Sequence, residues 1–307
     1  MWIRARFRGA NRCAGTSFGA RPAFAFFETR PLMSSLAPAD IAPVELHYQH
    51  YPAGSDAPGR PLVVLHGLLG ARGNWHSLSR GPLSEKRDVY ALDQRNHGRS
   101  PHTDAFGYDE MAADLKHFLD EHDLAPAAVL GPSMGGKTAM HTALAFPRAV
   151  DRLIVADMAP KAYPTHHEPI FEALRGIDLA AHDSRNDIDG ALSERIQARP
   201  VRQFLLKNLD YDTEAGRYRW QMNLDAIHAA YDEISAGLSE ELDGKTYDGP
   251  ALFVRGARSD YVAEQDLGAV RERFPQARLE TVEGAGHWLH ADRPDAFAEV
   301  VTTFLSE

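Results

Sequence analysis

A serine between two glycines is the strongest chemical feature of this chain. Gly131-Pro132-Ser133-Met134-Gly135 follows a short apolar run and opens a helical pattern. A serine on a tight strand-to-helix turn is a nucleophile elbow, and small residues at Gly131 and Gly135 permit the close approach that such a turn demands. The hydroxyl then projects above the sheet beside a helix N-terminus, which favours developing negative charge. The same residues fit a second chemistry. Gly131 to Thr138 reads G-x-x-x-x-G-K-[ST], a phosphate loop in which Lys137 would reach phosphates and Thr138 would hold a magnesium ion. Leu153-Ile154-Val155-Ala156-Asp157 resembles the apolar strand that ends in a metal-binding aspartate.

Three other segments discriminate between the two. His66-Gly67-Leu68-Leu69-Gly70 follows an early strand, and the Leu68 N–H would face the elbow. With the N–H of Met134 it makes an oxyanion hole, each donor being worth roughly 2.7–4 kcal/mol in the transition state. Gly284-Ala285-Gly286-His287-Trp288 follows the last strand and offers His287 as general base. Asp93 to Ser100 is a polar turn in which Asp93, Arg95 and His97 brace the site, as His66 does through a hydrogen bond. A nucleotide-binding domain has no use for these. Two carboxylates at strand ends, Asp157 and Asp260, can each orient the base. Either gives the order Ser…Asp…His, so both stay open on residue order alone.

Elements to carry these groups are readable. Strands are predicted at 44–49, 61–66, 88–92, 127–130, 152–156, 251–254 and 278–282, with helical patterns between, among them 109–122 and 294–305. That alternation predicts a mostly parallel α/β sheet. Residues 161–246 show helical patterns and no clear strand, so they read as a helical insertion. Within it, His166-His167-Glu168 reads as a surface segment rather than a metal site, Glu240, Glu241 and Asp243 as a solvated run, and Tyr218, Trp220 and Met222, at period-two spacing, either as lining the insertion's inner face or as packing onto the core.

Charge divides the chain. Of its 33 bases and 43 acids, residues 1–33 hold six arginines and one acid, leaving 27 bases and 42 acids in the rest. A body this acidic argues against nucleic-acid binding. A hydrophobic content of 44% is ample for a core. No apolar run approaches the ~20 residues of a membrane span. The one cysteine, Cys13, lies in the basic leader, so the body offers no disulfide, thiolate metal site or cysteine nucleophile. The leader fits a transit segment, an unstructured extension or an early start before Met33, and residues 1–35 are expected to stand outside the fold. The acidic body suggests a cytoplasmic protein, the leader a mitochondrial one.

The full set of segments resembles the α/β-hydrolase superfamily. Within it the nearest pattern is a subfamily of small bacterial esterases and acyl-CoA thioesterases with mitochondrial relatives. The resemblance runs over about 44–305 and rests on His66 to Gly70, Asp93 to Pro101, Ser133 to Met140, Asp157 to Pro160 and Gly286 to Pro294. It implies an α/β-hydrolase fold, a doubly wound sheet with a helical cap inserted after the sixth strand. The core would span 36–160 and 247–307, with the cap at 161–246. It implies Ser133, His287 and Asp157 as a triad with Ser259 assisting the acid, Leu68 and Met134 as the oxyanion donors, and no metal or organic cofactor. Its expected partner is a small ester or thioester. C–C or lactone cleavage by the same triad is the alternative, and a nucleotide-binding phosphate loop is the alternative of another class. Pro132 departs from the pattern, which usually has histidine there.

Overall fold

Leu62, Val63 and Val64 are all buried, yet they face different sides. Val63, Val129, Leu153, Val155 and Phe253 join one apolar cluster, while Leu62, Val64, Leu130, Ile154 and Val254 join another. Successive residues of a strand point to opposite faces, so strands buried on both sides read as continuous apolar runs. The computed structural model describes residues 41–54 and 59–307. The basic leader expected at 1–35, with Cys13, lies outside the described residues.

Seven strands form the sheet: β1 (Tyr48–Tyr51), β2 (Gly59–Val64), β3 (Arg87–Leu92), β4 (Ala127–Pro132), β5 (Val150–Ala156), β8 (Ala251–Gly256) and β9 (Ala277–Val282). Their order is β1-β3-β2-β4-β5-β8-β9, and only β1 runs antiparallel to its neighbour. The core helices are α1 (His76–Arg80), α2 (Tyr108–Glu121), α3 (Ser133–Ala145), α9 (Leu267–Arg273), α10 (Leu289–Asp292) and α11 (Pro294–Leu305). One apolar cluster takes Leu115, Phe118 and Met140 from α2 and α3; the other takes Phe297, Val301 and Phe304 from α11. Helices therefore cover both faces.

The chain leaves β2 toward β3 on one side and returns to β4 on the other. The crevice at such a switch point, beyond the carboxyl ends of β2 and β4, is where open α/β sheets bind ligands. The loop at His66 and the elbow at Ser133 both sit there.

Between β5 and β8 the chain forms α4 (Glu168–Arg175), α5 (Arg185–Ser193), α6 (Arg199–Leu206), α7 (Leu224–Ala229), α8 (Tyr231–Ser235) and a hairpin of β6 (Leu209–Asp212) with β7 (Arg217–Trp220). Phe171, Leu174, Ile188, Leu192 and Ile227 of this insertion pack with Leu69, Met111 and Met134 of the core.

Three expectations are corrected. The insertion is not purely helical: the alternation through Tyr218 and Trp220 belongs to β7, and Gly216 turns the hairpin at φ +64°. The insertion follows the fifth described strand rather than the sixth, because among the described residues a single antiparallel strand precedes β2. The first strand begins at Tyr48 instead of Val44. Side chains take the earlier backbone donors, the Val44 N–H giving to Asp114 Oδ1 at 2.8 Å and the His47 N–H to Ser100 Oγ at 2.8 Å.

Candidate active site

Ser133 starts α3 directly at the end of β4, with φ at +48°. A non-glycine residue there is strained by about 1–3 kcal/mol. Close packing holds it: a Cβ on Gly131 would stand 2.2 Å from Gly135 O, and one on Gly135 2.6 Å from His66 O. Pro132 fits because it ends the strand. Leu130 O accepts from Leu65 N at 2.8 Å, so backbone groups two residues on face the same side, where pairing with β2 has stopped at Leu130. The missing N–H of Pro132 therefore costs no ladder bond.

Asp157 follows β5, fully buried, with φ at +52°. Its Oδ2 stands 2.7 Å from His287 Nδ1 and also accepts from the Ser259 hydroxyl, while Oδ1 accepts from Gly256 N at 3.2 Å. An imidazole that donates through Nδ1 keeps its Nε2 lone pair. The Tyr261 ring stacks on His287, centroids 3.8 Å apart. Asp260, the other acid considered, is exposed to solvent.

The turn after β2 is built for a donor. Gly70 N–H gives to Gly67 O at 3.0 Å, closing a β-turn with Leu69 at φ +56°. The Leu69 N–H is used inward, on His97 Nε2 at 3.2 Å, and His97 Nδ1 donates to Arg95 O at 3.0 Å. His66 accepts from Gln94 N at 3.0 Å and donates to Gly67 O at 2.9 Å. Burial pushes the pKa of His66 down to about 4 and that of His97 down to about 3, so both rings are neutral at physiological pH. Asp93 accepts from Arg72 N and Arg99 N, and Arg95 grips Asp114 with two 2.6 Å bonds. The bracing roles read from the sequence hold. Asn208 adds one that the sequence did not signal: its amide reaches from the insertion to Leu69 O at 2.7 Å. Met134 lies in the first turn of α3, where N–H groups have no intrahelical acceptor.

These groups open on one cavity of about 90 Å³, whose lining includes Ser133, His287, Leu68, Met134, Phe204 and Trp288. His166 and His167 line it too; His166 and Glu168 are exposed, as the surface reading expects, while His167 is half-buried. His167 Nδ1 lies 2.5 Å from the Tyr231 hydroxyl, and His166 Nε2 lies 3.1 Å from that of Tyr261. Hydroxyls far along the chain, invisible to local spacing, partner both rings.

The phosphate-loop alternative fails on the helix start. A phosphate loop ends where its helix begins, at the Lys-Ser/Thr pair, whereas here the helix begins at Ser133. Lys137 and Thr138 are consequently inside α3 and buried. Thr138 donates to Gln94 Oε1 at 2.8 Å, and Lys137 donates to Ala236 O. Among the described residues no group of His, Cys, Asp or Glu is placed to hold a metal ion, and no helix is long and apolar enough to cross a membrane.

Residues 60–294 match the family model described as alpha/beta hydrolase fold. The chain is similar to sn-1-specific diacylglycerol lipase ABHD11 of Danio rerio, 36% identical over 271 residues, 86% of this chain and 83% of that one. It is 35% identical over 249 residues to esterase YbfF of Escherichia coli, 80% of this chain and 93% of the other. Among solved structures it resembles a marine microorganism esterase, with TM-score 0.80 and 40% identity over 85% of this chain and 99% of that one.

Proposed function

The chain belongs to the α/β-hydrolase fold family, and from that premise we propose that it is a serine hydrolase cleaving carboxylic esters or thioesters of small to medium acyl groups. The observation that carries this reading is the 2.7 Å bond between Asp157 and His287 beside the cavity that Ser133 lines. Asp157 fixes the tautomer, so that His287 Nε2 can take the Ser133 proton as the oxygen attacks the acyl carbon. The N–H groups of Leu68 and Met134 stabilise the oxyanion. His287 then protonates the leaving alcohol or thiol, and water activated by the same ring releases the acid from the acyl-enzyme. The lipase and esterase names of the relatives support the same class of bond.

The acidic charge of residues 34–307 supports a cytoplasmic setting, and cell fractionation separates it from a mitochondrial one. Turnover of a short 4-nitrophenyl ester tests the activity. The wild-type chain should release nitrophenol and Ser133→Ala should not; equal release by both would contradict the reading.

A further inference from the structure

Lys137 lines the same cavity as Ser133. It is buried, and among the described lining residues it is the only lysine or arginine. It stands four residues beyond Ser133 on α3, so both side chains leave the same helix face, their Cβ atoms about 5–6 Å apart. One N–H gives to Ala236 O. The ammonium lies over two ring faces, 5.5 Å from the centroid of Tyr108 and 5.2 Å from that of Tyr163. The hydroxyls of those rings are committed elsewhere: Tyr108 donates to Ile234 O at 2.7 Å, and Tyr163 donates to Tyr261 O at 2.9 Å while accepting from Ala159 N. Burial alone acts on the ammonium, pushing its pKa down to about 8, and no carboxylate among the described residues is paired with it.

A buried cation without a counter-charge is costly, and an ammonium carries three donors of which the carbonyl uses one. An arriving carboxylate would supply the missing charge. We propose that this arm of the cavity is an anion subsite, and that the preferred substrates are half-esters of short dicarboxylic acids whose far carboxylate pairs with Lys137. The bond chemistry is that of the esterase reading, on which this proposal rests. The ester C–O bond breaks, water gives its hydroxyl to the acyl carbon and its proton to the leaving oxygen, and the far carboxylate stays uncleaved. The ring faces and the methyl-bearing walls of Met158 and Ile234 would hold the spacer between the two ends.

Matched esters test it: mono-4-nitrophenyl glutarate against 4-nitrophenyl pentanoate, which differ by a carboxylate in place of a methyl. The wild type should favour the glutarate in kcat/KM. Lys137→Met should lower the glutarate-to-pentanoate ratio by about 10- to 100-fold, the worth of a hydrogen bond to a charged group, and Lys137→Arg should keep the ratio above that of the Met variant. Free glutarate should inhibit the wild type more tightly than pentanoate, a measurement that needs no variant. A tenfold wild-type preference for pentanoate, equal inhibition by the two acids, or an equal loss on both esters in Lys137→Met overturns the subsite. Failure of the wild type on both esters overturns the esterase reading itself.

Discussion

Asp157, at the end of β5, holds His287, at the end of β9, across the intervening strand β8. Their 2.7 Å bond spans 130 residues of chain, and the Ser259 hydroxyl and Gly256 N–H of the β8 end hold the same carboxylate. The carboxylate that holds His287 thus comes from the strand next to the one that ends at Ser133, while the strand after it supplies supporting donors.

This arrangement separates two aspartates. Asp157→Asn should present the wrong hydrogen-bonding face to His287 and lower kcat by about 10⁴-fold. Asp260→Asn changes an exposed group and should leave kcat within about threefold. Steady-state kinetics on one ester reads both, and the reverse ranking would reassign the acid.

Ser133 should be a stability liability as well as a nucleophile. At φ +48° an L-residue is strained, and glycine is not. Ser133→Gly should abolish ester turnover and raise unfolding stability by about 1 kcal/mol, measured by urea denaturation. Lower stability in the variant would mean that the serine side chain contributes more than its backbone strain costs.

How much of this was legible follows from how local each feature is. The turns at Ser133, Leu68 and His287 are short runs whose glycines and neighbouring strands lie within a few residues, and each follows the strand that the sequence predicted for it. The acid was not decidable from spacing, since Asp157 and Asp260 both follow strands. The path of the His287 loop over the end of β8 brings Asp157 within 2.7 Å of its ring and favours that residue in the proposed triad. The hairpin at 209–220 was hidden because its strands carry charges on a half-exposed pair rather than a buried run. Asn208 was hidden because its partner, Leu69 O, lies 139 residues away.

The Asn208 amide ties the insertion to the Leu69 turn, the proposed oxyanion site, and its loss should be felt in catalysis. Asn208→Ala frees Leu69 O and should cost about 1–2 kcal/mol of stability. Because the Leu68 N–H sits on the same turn, kcat should fall about tenfold with KM little changed. A KM effect without a kcat effect would make Asn208 a part of the pocket wall only.

The neutral histidines set an acid limit. The folded pKa of His66 is about 4 and that of His97 about 3, against an ordinary 6.5. The unfolded chain therefore binds protons that the folded one refuses, and stability is fully present above about pH 6.5 and lost as pH falls toward those values. From pH 6.5 to pH 5 the pair should remove about 3 kcal/mol, seen in denaturant titrations at the two pH values. Stability unchanged over that interval would contradict the buried neutral state of both rings.

The most direct measurement of the central claim is covalent labelling of the intact chain with a fluorophosphonate, followed by mass spectrometry of its peptides. The account requires one adduct, on Ser133, that disappears in Ser133→Ala and forms far more slowly in Asp157→Asn. Labelling elsewhere, or ATP or GTP binding by a chain that takes no label, would contradict it.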